Sequence, residues 1–251
     1  MPEQLWFTAI LNHLLAGPVT ALLRAVHVEP QYPQAPISNA AAMECLVFGF
    51  LIVLFVLVRS RLSVDSPGGL QHVFEGAHGF ISGQAHEIIG HDSEKFTAYL
   101  TTLGFFILFS NLLGLVPGFE SPTGDKVVPL GCAVLTFIYY NSNGIKKQGL
   151  GHYLRQFAGP SIGPWYANVP MAILMVPIEI VSHCARMLSL TVRLYANMFA
   201  GDLVTMVFFS LIPIGVPIVF MALHLGVSIV QTYVFVLLAM IYLQGAVAEE
   251  H

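Results

Sequence analysis

Stretches of about 20 apolar residues recur along this chain, and that is the length one helix needs to cross a bilayer. Ala40 to Val58 is one such run, ending at Arg59 and Arg61. Phe96 to Val116 is a second, closed by Pro117 and Gly118, and Val127 to Ile145 is a third, closed by Lys146 and Lys147. Ile218 to Leu243 leads into a charged tail of Glu249, Glu250 and His251. Between the first two runs, the stretch from Asp65 to Glu94 holds four histidines and several acids. It is too polar to span and reads as an interfacial amphipathic segment.

Composition agrees with lipid as the solvent. Of 251 residues, 56% are hydrophobic and 10% charged, against roughly 25% charged in a soluble domain. A net charge of −4 without a basic run gives nucleic acid no handle. Cys45, Cys132 and Cys184 are scattered through apolar stretches without metal-ligand spacing and read as small hydrophobes. The run from Leu5 to Leu15 lacks a basic flank and is broken by Asn12 and His13, so no cleaved signal peptide is expected. Without an internal repeat or linker, residues 1–251 read as a single membrane domain. Residues 1–39 form its extracytoplasmic segment and 40–251 its helical ion-channel region.

The region after Pro177 is unusual, because no proline follows until Pro213. A helix from Pro177 to Leu211 would be about 50 Å long, whereas the hydrocarbon core is about 30 Å thick. The segment is either two spans with a turn near Asn197–Gly201 or one steeply tilted helix. Pro213 and Pro217 mark the turn into the last helix. The resulting fold class is an all-α integral membrane protein of about five crossing helices, the last two forming a long, tilted hairpin. Arg59, Arg61 and Lys95 share a side with Lys146, Lys147 and Arg155, while Glu120 and Asp125 outnumber Lys126 on the other. The positive-inside rule makes the basic loops cytoplasmic and the N-terminus external. With one tilted helix the C-terminus is cytoplasmic; with two spans it is external.

A charge at mid-bilayer costs at least about 2.5–3.5 kcal/mol on insertion scales. The segment Pro177–Leu211 nevertheless carries Glu179, His183, Arg186, Arg193 and Asp202. At 100° per residue, Glu179, His183, Arg186, Arg193 and Asn197 fall within about 40° of one line. Asp202 points to roughly the opposite face from Arg193, so the two do not pair within the helix. The last helix has a second stripe of His224, Ser228, Gln231 and Tyr242. A hairpin about Pro213–Pro217 sets His224 level with Asp202 and brings Gln231 towards the depth of Arg193. Two facing polar stripes between apolar helices make a wet path. Plainer readings stand beside this one. Arg193 could be locked to Glu179 or Asp202, Glu179–His183 could be a local i,i+4 pair, His224 could be a packed polar residue, and Gln231 could be interhelical glue.

The run from Leu190 through Arg193, Asn197, Met198, Gly201 and Asp202 to Leu203 resembles the signature helix of F-type ATP synthase subunit a. That signature has a core R-L-x-x-N-M-x-A-G-(E/D). Ser110 to Gly118 resembles the family's earlier N-L-x-G-L-x-P element, and the ending with Gln231 and its acidic tail is also similar. The resemblance implies a non-catalytic, ion-translocating stator subunit in a bacterial plasma membrane. Its partners would be a ring of small hairpin subunits (subunit c), the peripheral stalk subunit b and the rest of the synthase. Arg193 would face the ring carboxyls. Asp202 and His224 would line one half-channel and Glu179, His183 and Asn197 the other, nearer the cytoplasm, with Ser228 and Gln231 also among the half-channel residues. No cofactor and no metal are expected.

His86 and His91 bracket a motif like that of zinc proteases, but at i, i+5 they diverge by about 140° on a helix. An intramembrane metalloprotease would need convergent ligands that the sequence does not offer. A self-contained secondary transporter would need an inverted repeat, which is also missing.

Overall fold

The computed structural model describes residues 5–25, 27, 29, 32, 34–63, 68–90, 92–116, 118–151, 153, 165–211 and 215–247, with backbone alone for 165–170. Among them are seven α-helices: α1 (Trp6–Ala25), α2 (Asn39–Ser60), α3 (Gly69–Ile89), α4 (Glu94–Leu113), α5 (Val127–Gln148), α6 (Trp165–Leu211) and α7 (Val216–Val247). One 3-10 turn, η1 (Pro122–Gly124), lies in the α4–α5 connection. The expected all-helical membrane architecture is what the chain adopts. Pro117, Arg155, Pro213, His91 and the tail Glu249–His251, each used in the sequence reading, lie outside the described residues.

Three details sharpen the expectation. First, α6 is one unbroken helix of 47 residues, about 70 Å long at 1.5 Å per residue. It begins before Pro170 and Pro177 and runs through both. Prolines inside a membrane helix are tolerated because neighbouring groups re-satisfy the freed carbonyls. The alternative of two spans with a turn near Asn197–Gly201 is thereby excluded.

Second, the five helices long and apolar enough to cross a membrane are α1, α2, α4, the Met171–Leu211 part of α6, and α7. The sequence reading counted α5 and not α1; α5 runs from the η1 end of the bundle to Lys147 beside Asp92, the depth that α4 spans. The second half of α5, with Tyr139, Tyr140, Asn141, Ser142 and Asn143, lowers its hydropathy; Tyr139 stacks on Tyr99 of α4 and Tyr140 bonds His183 of α6, while Asn141 and Asn143 donate to carbonyls of α5 itself. Helix α1 owes its place to the residue that interrupts its apolar run. Asn12 is buried and bonds both backbone groups of Ile37, donating to its O at 3.1 Å and accepting from its N at 3.0 Å. The Leu5 amide donates to Asn39 Oδ1 at 3.3 Å, and Trp6 meets Phe119 edge-on. Both hydrogen-bonded contacts lie at the N-terminal end of α2.

Third, the polar stretch before α4 is a regular helix. Phe74 stacks on Phe105 and touches Phe55, while Gln84 accepts from Tyr233 Oη. Helix α3 therefore crosses α4 obliquely from α2 to α7. Gly90, at φ +91°, ends it.

The main core draws Leu100 and Ile107 from α4, Tyr140 from α5, Leu194 and Met198 from α6, and Phe235, Ala239 and Leu243 from α7. Helices α5 and α7 and the η1 turn cover one face of α6, with α4 packed behind them on α7. Of the apolar window of α6, 6% is buried, which leaves Val181, Leu188, Val192, Phe199 and Met206 exposed along one side.

Candidate functional site

Helix α6 sorts its polar residues into two clusters with Arg193 between them. In the first cluster, Glu179 Oε1 lies 3.4 Å from His183 Nε2 and 3.8 Å from Arg186 Nη2. His183 is buried, and its Nδ1 shares a 2.8 Å hydrogen bond with Tyr140 Oη of α5. Arg186 also stands over the ring of Tyr242, 5.6 Å from its centroid. Tyr140 was not among the residues singled out from sequence. Its place at i−4 from Gly144 carries no polar pattern, and only packing brings it to α6.

In the second cluster, Asp202 Oδ1 lies 3.7 Å from His224 Nδ1 across the α6–α7 hairpin. The levelling of these two residues is as the hairpin register required. Gly201 is the reason the ring comes so close: a Cβ there would stand 2.7 Å from His224 Nδ1 and 2.9 Å from its Cε1. One turn towards Arg193, Asn197 Nδ2 donates to Gln231 Oε1 at 2.8 Å. This places Asn197 on the Asp202 side of Arg193, bonded to the α7 stripe, and not with Glu179 and His183 where the sequence reading grouped it. His224 Nε2 and Gln231 Nε2 are buried and make no hydrogen bond among the described residues, so each has a proton position available to water. Ser228 donates to the His224 carbonyl at 2.8 Å.

The loop between α4 and α5 closes over this second cluster. Asn111, fully buried, accepts from Thr123 Oγ1 at 2.7 Å and donates to the Ser228 carbonyl at 3.4 Å. One amide thus ties η1 to α7, and the N-L-x-G-L-x-P element owes its asparagine to that bond. Ser121 donates to the Ser110 carbonyl at 3.2 Å and shares a 2.8 Å bond with Thr123. The folded loop frames a polar vestibule of about 440 Å³ lined by Glu120, Asp125, Lys126, Tyr195 and Asp202. A second cleft of about 270 Å³ reaches Glu120, Asp202, Thr205 and His224. Asp202 therefore lies at the floor of two openings. Glu120, read from sequence merely as a loop charge, stands at the mouth of both.

Arg193 is exposed and makes no ion pair or hydrogen bond among the described residues. The two acids that could have neutralised it face histidines instead, in the one case at 3.4 Å and in the other at 3.7 Å. On α6 it borders the exposed apolar face, flanked at i−4, i+3 and i+7 by Ser189, Ala196 and Ala200. Small residues at this spacing leave a channel along the helix through which another backbone can approach.

Comparison with known proteins bears on the whole of this arrangement. Residues 41–244 match the family described as ATP synthase A chain. The chain is 53% identical over 251 residues, all of both chains, to the ATP synthase subunit a of Koribacter versatilis. It is 50% identical to that of Solibacter usitatus over 96% of this chain and 100% of the other. It is 39% identical to that of Geobacter sulfurreducens over 86% and 92%.

Proposed function

From the chain's membership of the ATP synthase A chain family, we propose that it is the ion-conducting stator of a rotary ATP synthase, with Arg193 facing the carboxyls of a turning ring. The observation that carries the reading is an exposed guanidinium, unpaired among the described residues, between two polar clusters on a helix whose outer face is apolar.

The physics follows from where the charge lies. A carboxyl on a ring subunit that faces lipid must hold its proton, because desolvation penalises the ionised form. Beside a fixed cation the ionised form is favoured and the proton leaves. Arginine suits the post, since it stays charged at any physiological pH and sheds its hydration more readily than lysine. It also bars direct passage of a cation from one cluster to the other.

The vestibule at Glu120 and Asp202 serves as the inlet path, continued by His224, Ser228 and Gln231, with Asn197 at its inner limit. Glu179 and His183, supported by Tyr140, serve as the outlet. The two clusters lie on opposite sides of Arg193: ten residues separate His183 from it and nine separate Asp202, about 15 Å and 14 Å along the axis. A proton therefore crosses only by riding the ring, and each charge carried is worth about 2.3 kcal/mol per 100 mV. The chain itself performs no bond chemistry. It belongs in a bacterial inner membrane, its basic loops and C-terminus cytoplasmic and the start of α1 at the outer end of α2. Subunit c, subunit b and the lipid bilayer are its partners.

The test is Arg193→Ala in the assembled complex, in vesicles energised by a respiratory substrate. Loss of ATP synthesis with normal amounts of assembled complex is expected. Sustained synthesis at the unmodified rate would overturn the reading.

A further inference from the structure

Asp202 meets α7 with one carboxylate oxygen and the α4–α5 loop with the other. Its Oδ1 lies 3.7 Å from His224 Nδ1, while a Cβ at Gly124 of η1 would stand 3.1 Å from Oδ2. That is tighter than nine in ten real Cβ contacts, so a side chain at this position would displace the acid. The φ of Gly124 is not positive, so backbone conformation does not call for glycine. What glycine supplies is space, and it lets the loop back directly on the carboxylate.

The loop that presents Gly124 is braced on the helix that carries His224. Thr123 Oγ1 donates to Asn111 Oδ1 at 2.7 Å, Asn111 Nδ2 to the Ser228 carbonyl at 3.4 Å, and Ser228 Oγ to the His224 carbonyl at 2.8 Å. Thr123, Asn111 and Ser228 are fully buried, where hydrogen bonds are stronger than in water. Behind η1, Ser121 donates to the Ser110 carbonyl at 3.2 Å. It also packs closely on Gly114, where a Cβ would stand 2.7 Å from Ser121 Cβ. Acid and histidine stand on different helices, yet both are referenced to one turn of α7.

The brace matters because the carboxylate has a second partner in view. The last torsion of an aspartate is broad and roughly two-fold, so its own rotamer preference does not aim it. The vestibule that opens on Asp202 also holds Glu120, Asp125, Lys126 and Tyr195. Lys126 is the cation of that set, yet among the described residues Asp202 is set against His224 and not against Lys126. A pair with Lys126 would draw the acid off the histidine. We propose that Gly124 is a positioning residue: the braced η1 backbone holds the Asp202 carboxylate on His224 and away from Lys126. Its consequence for proton uptake rests on the reading of Asp202 and His224 as the inlet; the aim of the carboxylate does not.

The test is treatment of the assembled complex in vesicles with a water-soluble carbodiimide, followed by peptide mass spectrometry. The rate of ATP synthesis is measured beside it on untreated vesicles. The reagent joins a carboxylate to an amine in contact with it, so an Asp202–Lys126 amide reports an acid turned from the histidine. The native protein is expected to give no such amide. Gly124→Ala is expected to give it, because the added Cβ takes the seat of Oδ2, and to slow synthesis about fourfold, in proportion to the hundredfold that a 1 Å misplacement can cost. Thr123→Val, which releases the brace without adding bulk at Gly124, is expected to yield the same amide. Adding Lys126→Gln to Gly124→Ala is expected to restore the rate to that of Lys126→Gln alone, because the displaced acid then keeps His224 as its partner. The amide in the native protein, or in neither loop variant, would overturn the proposal. So would a slowed Gly124→Ala that Lys126→Gln leaves slow, the mark of damage to the fold alone. The amide with no change in any rate would keep the aim of the carboxylate and remove the conduction reading of Asp202, so the two failures are distinguishable.

Discussion

Replacing Gly201 by alanine tests whether the α6–α7 contact sets the geometry of the inlet path. The added Cβ would stand 2.7 Å from His224 Nδ1, whereas ordinary contact begins at 3.4 Å. The ring must therefore move off α6 by about 0.7 Å, the difference of those two distances. Its separation from Asp202, 3.7 Å in the native arrangement, grows towards 4.4 Å if the shift is directly away. Overpacking of this kind costs about 1–3 kcal/mol. If the same strain raises the barrier for proton passage, flux falls by about 5- to 150-fold at 1.4 kcal/mol per decade. The assay is passive proton flux through vesicles stripped of the catalytic sector, alongside the thermal midpoint of the purified complex. His224→Ala removes the atom that clashes. The double variant should then regain the stability lost by Gly201→Ala, a coupling of about 1 kcal/mol or more that additive effects would not produce. Unchanged flux and midpoint in Gly201→Ala, or strictly additive losses in the double variant, would refute the reasoning.

Other outcomes follow from the same structure. Asn111→Leu should lower stability by about 2–4 kcal/mol, since it removes two buried hydrogen bonds and leaves the Thr123 hydroxyl with one partner; the thermal midpoint reports it. Tyr140→Phe should cost about 1 kcal/mol by loss of the bond to His183, and should slow proton release more than uptake in single-direction flux measurements. Glu120→Gln should slow uptake at low proton concentration while leaving assembly intact, because its carboxylate stands at the mouth of both clefts above Asp202. Hydrogen bonding from Lys95 and then Lys147 holds the Asp92 carboxyl below its ordinary value of 3.8. A depressed folded value means that its contribution is present above 3.8 and fades as pH falls through the lower, folded value. The difference in thermal midpoint between the native protein and Asp92→Asn should therefore be small at neutral pH, shrink with salt, and vanish in strong acid.

How much of this was open to sequence reading depends on what enforces each feature. Lipid penalises every charge and every unpaired backbone group, so the apolar runs of α2, α4 and α7 and the costly residues within α6 stand out without coordinates. The same penalty picks out Arg193, Asp202 and His224, and the 100° rotation per residue separates Arg193 from Asp202 before any contact is known. Helix continuity through Pro170 and Pro177 was not legible, because neighbouring groups decide whether a proline breaks a helix. Nor was the role of Asn12: an interruption in an apolar run looks like a defect until Ile37 is seen beside it. Asn111, Tyr140 and Glu120 are ordinary residues locally, and what matters in each is a partner on another element. Sequence, then, determined which residues are too expensive to be in a membrane without a purpose. Tertiary structure decided who neutralises whom. It sets Asp202 against His224 of α7 and His183 against Tyr140 of α5 and leaves Arg193 without a counter-ion among the described residues, because those pairings depend on distances between helices that no local pattern encodes.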